Sequence, residues 1–278
     1  MRERLHGWRR RRDRGRGEAP SAAQALEVIG GGSYAAGATH VGRVREGNED
    51  AYLCAPERGL FLIADGMGGH VAGEQASAAT VRAVDSFLTP ERLAESLNDE
   101  YESARELLCA AFRDADAAIR RATEQRSELH GMGSTGVIAV LRGSALHVAN
   151  VGDSRAYLVR DGQSQLLSRD HSVAALLAEQ GDLSPEDART HLLRNQLTEC
   201  LGGQRSPRPD YACVQVHSGD RVLLCSDGLW DMMSDEEMGE IVSESRDPGH
   251  AVEALVCAAN YAGGHDNITA IVACTRVR

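Results

Sequence analysis

From Ser134 onward the chain changes period. Short strand-like runs at Ser134–Leu141, Ala145–Val151, Ser154–Arg160, Ala212–His217, Val222–Cys225 and Ile268–Val277 are separated by Gly, Asp and Asn. Alternating or briefly apolar runs broken by turn residues read as β-strands, and three in succession with short connections predict an antiparallel meander. Around them the period is helical. Ala72–Leu88 places Val81, Val84 and Leu88 on one side, and Glu102–Thr123 carries the stripe Leu108, Ala111, Phe112, Ala115, Ile119 and Ala122. Further helices fit Ser172–Gln180, Asp235–Ser243 and Ala251–Tyr261. Strands gathered centrally, with helices before, between and after them, predict an α+β layer arrangement of antiparallel sheets with helices packed outside.

The rest of the composition narrows what such a domain does. At 278 residues and 42% hydrophobic the chain can bury a core of catalytic-domain size. All 30 basic residues are arginine. Without lysine there is no Walker-A loop, no protein-kinase active site and no Schiff-base enzyme. The cysteines at 54, 109, 200, 213, 225, 257 and 274 form no CxxC pair and read as small buried hydrophobes in a reducing compartment. None has an arginine six positions on, so the Cys-x5-Arg loop of a cysteine-nucleophile phosphatase is absent.

Residues 1–32 read as a disordered arginine-rich tail ending in a glycine linker, Gly30-Gly31-Gly32-Ser33, and residues 33–278 as the folded domain. Eight arginines against Glu3 and Asp13 give residues 1–16 a charge of +6, which leaves −17 on the remainder of a chain whose total is −11. An acidic body argues against nucleic acid as a partner and leaves carboxylates for cations. No run reaches the ~20 apolar residues of a membrane span, and no apolar core follows the basic start, so the expected location is cytoplasmic. Residues 162–210, polar and marked by Gly and Pro, are the candidate for a substrate-facing flap.

The candidate site begins in Phe61–His70. Apolar residues run up to Asp65, and the chain then loosens into a loop with glycine at 66, 68 and 69. An Asp-Gly pair after a strand is commonly a turn, but a carboxylate beside bare backbone also suits a hard divalent cation. Thr39–Asp50 starts strand-like and ends in the acidic pair Glu49-Asp50; strand alternation would put Arg43 and Arg45 on one face, able to hold an anion beside a cation, or simply solvated at an edge. Asp153, Asp227 and Asp266 share Asp65's setting of small neighbours at strand ends or turns. Four such termini could converge on a binuclear oxygen-ligand cation site.

The sequence resembles the metal-dependent protein phosphatases, the type 2C serine/threonine phosphatases, in their bacterial form. The resemblance rests on Arg45-Glu46-Gly47-Asn48-Glu49-Asp50, Ala64–Gly69 with Ala72-Gly73-Glu74, Met132–Thr135, Val151–Arg155, Asp170-His171-Ser172, Leu201-Gly202, Ser226–Leu229 and Asp266–Thr269, in the family's order over residues 34–278. It implies two antiparallel sheets packed as a sandwich between helix layers (α-β-β-α) with a flap near residues 165–195. It implies two manganese or magnesium ions, or three. Asp65 would bridge the pair; Asp227 and Asp266 would complete the first ion, the Gly66 carbonyl the second, with Glu49 and Asp50 holding waters and Asp153 serving a third ion. Arg45 would clamp the phosphate while a hydroxide bridging the two ions attacks phosphoserine or phosphothreonine in a protein. The implied partners are phosphoproteins and a cognate bacterial Ser/Thr kinase, and the implied state is a monomer. Many eukaryotic relatives place a leaving-group acid where this chain has Met67. His70 is the nearby candidate, a loop histidine is its plainer reading, and a metal-bound water is the preferred donor. His40, His171 and His265 read as structural. The alternative is a catalytically silent phosphoprotein-binding module of the same fold; a phosphatase restricted to one partner-switching regulator of transcription is the third reading.

Overall fold

In the computed structural model, residues 27–28, 34–97 and 101–275 are described. One sheet contains β1 (Glu27–Val28), β2 (Tyr34–His40), β8 (Arg155–Arg160), β9 (Gln163–Leu166), β11 (Arg221–Cys225) and β12 (Ile268–Cys274), in the order β1-β2-β12-β11-β8-β9. The other contains β3 (Asp50–Ala55), β4 (Leu60–Met67), β6 (Gly136–Arg142), β7 (Ala145–Val151) and β10 (Asp210–Gln215), in the order β10-β7-β6-β4-β3, with β5 (Gly133–Ser134) paired to the end of β4. Every pairing is antiparallel.

β4 shows why the sheets stack. Leu60 and Leu62 join the core beneath α1 (His70–Phe87), α2 (Pro90–Ser96) and α3 (Tyr101–Gln125), whereas Phe61 and Ile63 join the core between the sheets. Side chains alternate across a strand, so a continuous apolar run needs an apolar layer on both faces. On the opposite side, Leu223, Cys225 and Val272 face α6 (Asp227–Trp230), α7 (Asp235–Glu244) and α8 (Pro248–Ala262). The expected stripe of the long helix is present: Leu108, Ala111, Phe112, Ala115 and Ile119 are fully buried. Each large apolar side chain so buried contributes roughly 1.5–3 kcal/mol. The α+β sandwich with flanking helices is therefore as expected.

Several local expectations are corrected. The meander fails at its third strand: β6 pairs with β7, but β8 crosses to the other sheet. Gly152 turns the chain there with φ 93°, and its missing Cβ avoids Thr135 at 2.7 Å. β4 does not stop at Asp65 but continues to Met67, because β5 supplies a partner. β2 ends at His40, so Arg43 and Arg45 lie on a loop and share no strand face. Residues 27–28, assigned to the tail, form a strand paired with Tyr34 and Ala35; the rest of residues 1–32 lies outside the described residues. Of the cysteines, Cys213 and Cys257 are exposed rather than buried.

Residues 162–210 are more ordered than an irregular insertion. They begin in β9 and hold α4 (Val173–Glu179) and α5 (Pro185–Thr190), capped by Ser172 and Ser184. Arg189 bonds Asp235 at 2.8 Å and Arg194 bonds Asp231 at 2.9 Å, tying this flap to the chain just after Asp227. A cavity of about 270 Å³ lies between flap and body, with Trp230, Ala175 and Ala188 among its walls.

Candidate active site

One end of the sandwich collects termini from both sheets. β3 begins at Asp50, directly opposite Asp65 on β4. β11 ends at Cys225, so Ser226 and Asp227 project past the sheet and Asp227 opens α6. β12 begins at Ile268, placing Asp266 and Asn267 just before it. The crossover from β7 to β8 carries Asp153. Residues from 15 (Asp50 and Asp65) to 216 (Asp50 and Asp266) positions apart thus meet because strand ends do.

Backbone fit fixes the first of them. Thr135 holds Asp65 twice, its hydroxyl accepting from the Asp65 amide at 3.0 Å and its amide donating to the Asp65 carbonyl at 2.8 Å. The Gly66 amide donates to the Glu49 carbonyl at 3.1 Å. A Cβ on Gly66 would lie 2.0 Å from the Gly73 carbonyl oxygen, and one on Gly73 would lie 1.8 Å from Glu49 Oε2. Only glycine lets β3, β4 and α1 approach so closely.

The carboxylates are unevenly satisfied. Asp50 Oδ2 accepts from Thr269 Oγ1 at 2.6 Å and Ser226 Oγ at 2.8 Å. Asp266 accepts from Arg45 at 2.7 Å and from the Asn267 amide at 2.8 Å. The Asp65 carboxyl pulls the Asp227 value down, against the burial that raises it. Asp50 Oδ1 and Asp227 Oδ1, by contrast, are buried and accept nothing, although parts of both residues reach solvent.

Crowding sets the charge state. Burial, then like charge, pushes Asp50 up to about 8, with Thr269 and Ser226 pulling the other way. Asp227 is pushed up to about 7 by burial and by Asp266 and Asp231. Asp65 lies well above the carboxylate range through burial and the fields of Asp50, Asp227, Asp153 and Asp266. Asp153 is raised too, by burial, Asp227 and Asp170, against the pull of Arg155. A buried group of like charges with unsatisfied oxygens demands either protons or cations.

These residues fit divalent cations. The donors are hard oxygens, and the orphaned Asp50 and Asp227 oxygens supply the observation that a proton-only site would not need. The expected first-ion set is only partly assembled: Asp65 and Asp227 lie within one another's electrostatic reach, while Asp266 is drawn to Arg45, and no three acidic, imidazole or thiol groups among the described residues close into a ligand shell. Glu49 and Asp50 adjoin Gly66 and Asp65 across β3 and β4. Arg45 sits at the rim, its side chain 51% exposed. His70 opens α1, and its side chain lies outside the described residues.

Sequence reasoning read His171 as structural and gave no role to Arg155, Asp170 or Trp230. Arg155 is buried, paired in fork geometry with Asp170 at 2.6 to 3.2 Å, and its guanidinium carbon lies 3.7 Å over the Trp230 ring. Trp230 Nε1 in turn donates to the Asp153 carbonyl at 3.0 Å. The Gly152 amide donates to His171 Nδ1 at 3.2 Å, so His171 braces the same turn. Thr135, Ser226 and Thr269 were visible only as members of motifs.

The chain is similar in sequence and structure to known proteins. The family profile described as protein phosphatase 2C matches residues 36–255. The serine/threonine phosphatase stp of Listeria innocua is 35% identical over 237 residues, covering 84% of this chain and 92% of that protein. The crystal structure of the Mycobacterium tuberculosis serine/threonine phosphatase PstP/Ppp superposes with a TM-score of 0.78 at 33% identity, covering 88% of this chain and 99% of that one. A structure of the PstP catalytic domain in complex with two manganese ions has a TM-score of 0.74 at 32% identity, covering 87% of this chain and 98% of that one.

Proposed function

The chain belongs to the protein phosphatase 2C family, and on that footing we propose that it hydrolyses phosphoserine and phosphothreonine in proteins with two manganese or magnesium ions, reversing the work of a bacterial Ser/Thr kinase. The observation that carries the reading is the pair of buried, unsatisfied oxygens on Asp50 and Asp227 inside a cluster of aspartates rimmed by an arginine. When bound, the cation pair supplies Lewis acidity, neutralising phosphoryl oxygens and acidifying water. Asp65, Asp227, Asp266 and the Gly66 carbonyl would hold the pair, Glu49 and Asp50 would orient waters around it, and Asp153 would serve a third ion.

The chain's own residues then bind and orient. Arg45 has one observed anchor, Asp266, and half its side chain is exposed, so its planar fork is free to turn onto phosphate oxygens. Met67 has no proton to give a leaving alcohol, and water, in preference to His70, is the proposed donor. The flap, pinned by Arg189 and Arg194, would frame the phosphoprotein. No helix among the described residues is long and apolar enough to cross a membrane. A catalytically silent binding module would have no need to keep all three of Asp65, Asp227 and Asp266 in its sequence.

Steady-state hydrolysis of a phosphothreonine peptide by the Arg45→Ala variant tests the clamp. A hydrogen bond to a charged group is worth roughly 1.5–3 kcal/mol, so KM should rise by about tenfold or more. An unchanged KM removes Arg45 from phosphate binding.

A further inference from the structure

Arg45 stands on a loop, residues 41–49, that has no regular secondary structure. The side chain that ties both of its arms lies far away in sequence. Asn267 Nδ2 donates to the Val41 carbonyl and to the Gly47 carbonyl, both at 2.9 Å, and Asn267 Oδ1 accepts from the Glu49 amide at 2.7 Å. The amide is 5% exposed and uses both of its donors, with its oxygen facing an N–H, so the neighbours dictate its orientation. Its backbone is pressed into the same place: a Cβ on Gly228 would lie 2.1 Å from the Asn267 carbonyl oxygen, and one on Gly42 would lie 2.2 Å from the Asp266 carbonyl oxygen.

We propose that Asn267 is a positioning residue that fixes the loop carrying Arg45 by gripping its start, its end and the residue two after the arginine. The other ties each hold the loop at one point: the Gly42 amide donates to His40 Nδ1 at 2.9 Å, the Glu49 carbonyl accepts from the Gly66 amide at 3.1 Å, and Arg45 itself reaches Asp266 at 2.7 Å. The Arg43 amide donates to the Gly264 carbonyl at 2.7 Å, and Asn48 donates to Thr39 Oγ1 at 2.9 Å, which in turn meets Thr269 Oγ1 at 2.7 Å. None of these binds both arms of the loop. Aspartate at 267 would set a carboxylate against two carbonyl oxygens, and alanine would leave both carbonyls and the Glu49 amide without partners. Because Asn267 reaches Arg45 only through the loop, its loss should weaken phosphate binding rather than remove a reacting group. The Asn267 backbone amide, which holds Asp266 Oδ1, survives substitution of the side chain.

The inference rests on the reading of Arg45 as the phosphate clamp, and a double-mutant cycle separates the two. KM for a phosphothreonine peptide would be measured in saturating manganese for the wild type, Arg45→Ala, Asn267→Ala and the double variant, with deuterium uptake over residues 41–49. The expected result is a KM about fivefold or more above wild type for Asn267→Ala, kcat falling less than KM rises, faster exchange in the loop, and a double variant no more than about twofold worse than Arg45→Ala alone. Multiplicative effects of the two substitutions would overturn the proposal, because a merely structural residue would act independently of Arg45. So would wild-type KM and wild-type exchange in Asn267→Ala. If Arg45→Ala alone leaves KM unchanged, the clamp reading fails, and loop exchange then decides the fate of the positioning role. Asn267→Ser, whose hydroxyl is too short to span both carbonyls, replaces the alanine variant should that one not fold.

Discussion

Stability of the protein in excess chelator should fall as pH rises from 6.5 to 8. Asp50 goes from an ordinary carboxylate value, 3.8, in the unfolded chain up to about 8 in the fold, because burial and the neighbouring aspartates penalise its charge. A raised carboxylate contributes stability that is complete below the unfolded value and is lost as pH climbs through the folded value. With 1.36 kcal/mol per unit, the loss for Asp50 between pH 6.5 and 8 comes to about 1.5–2 kcal/mol. Asp227, raised to about 7, and Asp65 and Asp153 act in the same direction without simply adding, since they share one field. Opposing groups are silent in this window. Buried His147, with a lowered value, loses stability only below about 6.5, and the lowered carboxyls of Asp220, Asp247 and Glu179 only below about 4.5. For a domain of this size about 1.5–2 kcal/mol corresponds to a fall in Tm of roughly 3–8 °C. Thermal melts in EDTA at closely spaced pH values read it directly, and the same melts in manganese should be higher and flatter, because an ion binds the deprotonated site. A Tm that holds level or rises from pH 6.5 to 8 in EDTA would refute the crowding of carboxylates.

Other substitutions follow from the same geometry. Asp65→Asn should cut turnover by about 10³-fold or more while circular dichroism stays native and Tm in chelator rises, since one of several like charges is gone; full activity would rule out a bridging role. Asp170→Ala takes the fork partner from the buried Arg155, leaving it the Tyr157 hydroxyl at 3.1 Å and Asp235 at 3.8 Å, and should cost up to about 3–5 kcal/mol in denaturant melts, with a loss under ~1 kcal/mol showing that the pair does not hold the Asp153 turn. Gly66→Ala forces a Cβ against the Gly73 carbonyl, so activity should drop at least about tenfold and stability by about 1–3 kcal/mol, and wild-type values for both would contradict the close approach.

The sequence announced the layers because buried strands and amphipathic helices each leave their own period, as Leu60–Ile63 and the stripe of α3 show. It announced the aspartates because they sit in glycine-rich turns. It misplaced β8, since a three-residue link can close a hairpin or carry the chain between sheets, and only the Thr135 and Trp230 contacts around Gly152 and Asp153 decide which. It put Arg43 and Arg45 on a strand because alternation does not reveal where pairing stops; β2 ends where its antiparallel partner β12 begins, at His40 opposite Ile268. The work of Thr269, Ser226 and Asn267 was illegible because each acts on partners roughly 180 to 230 positions away.

The central claim is a phosphatase whose aspartate cluster works with divalent cations. The most direct measurement is release of phosphate from a phosphothreonine peptide by the purified protein in manganese, in magnesium and in EDTA. The account predicts turnover with at least one of the ions and none above background in EDTA, restored when the ion is added back. Turnover undiminished by EDTA, or none with either ion from protein shown by circular dichroism to be folded, would contradict it.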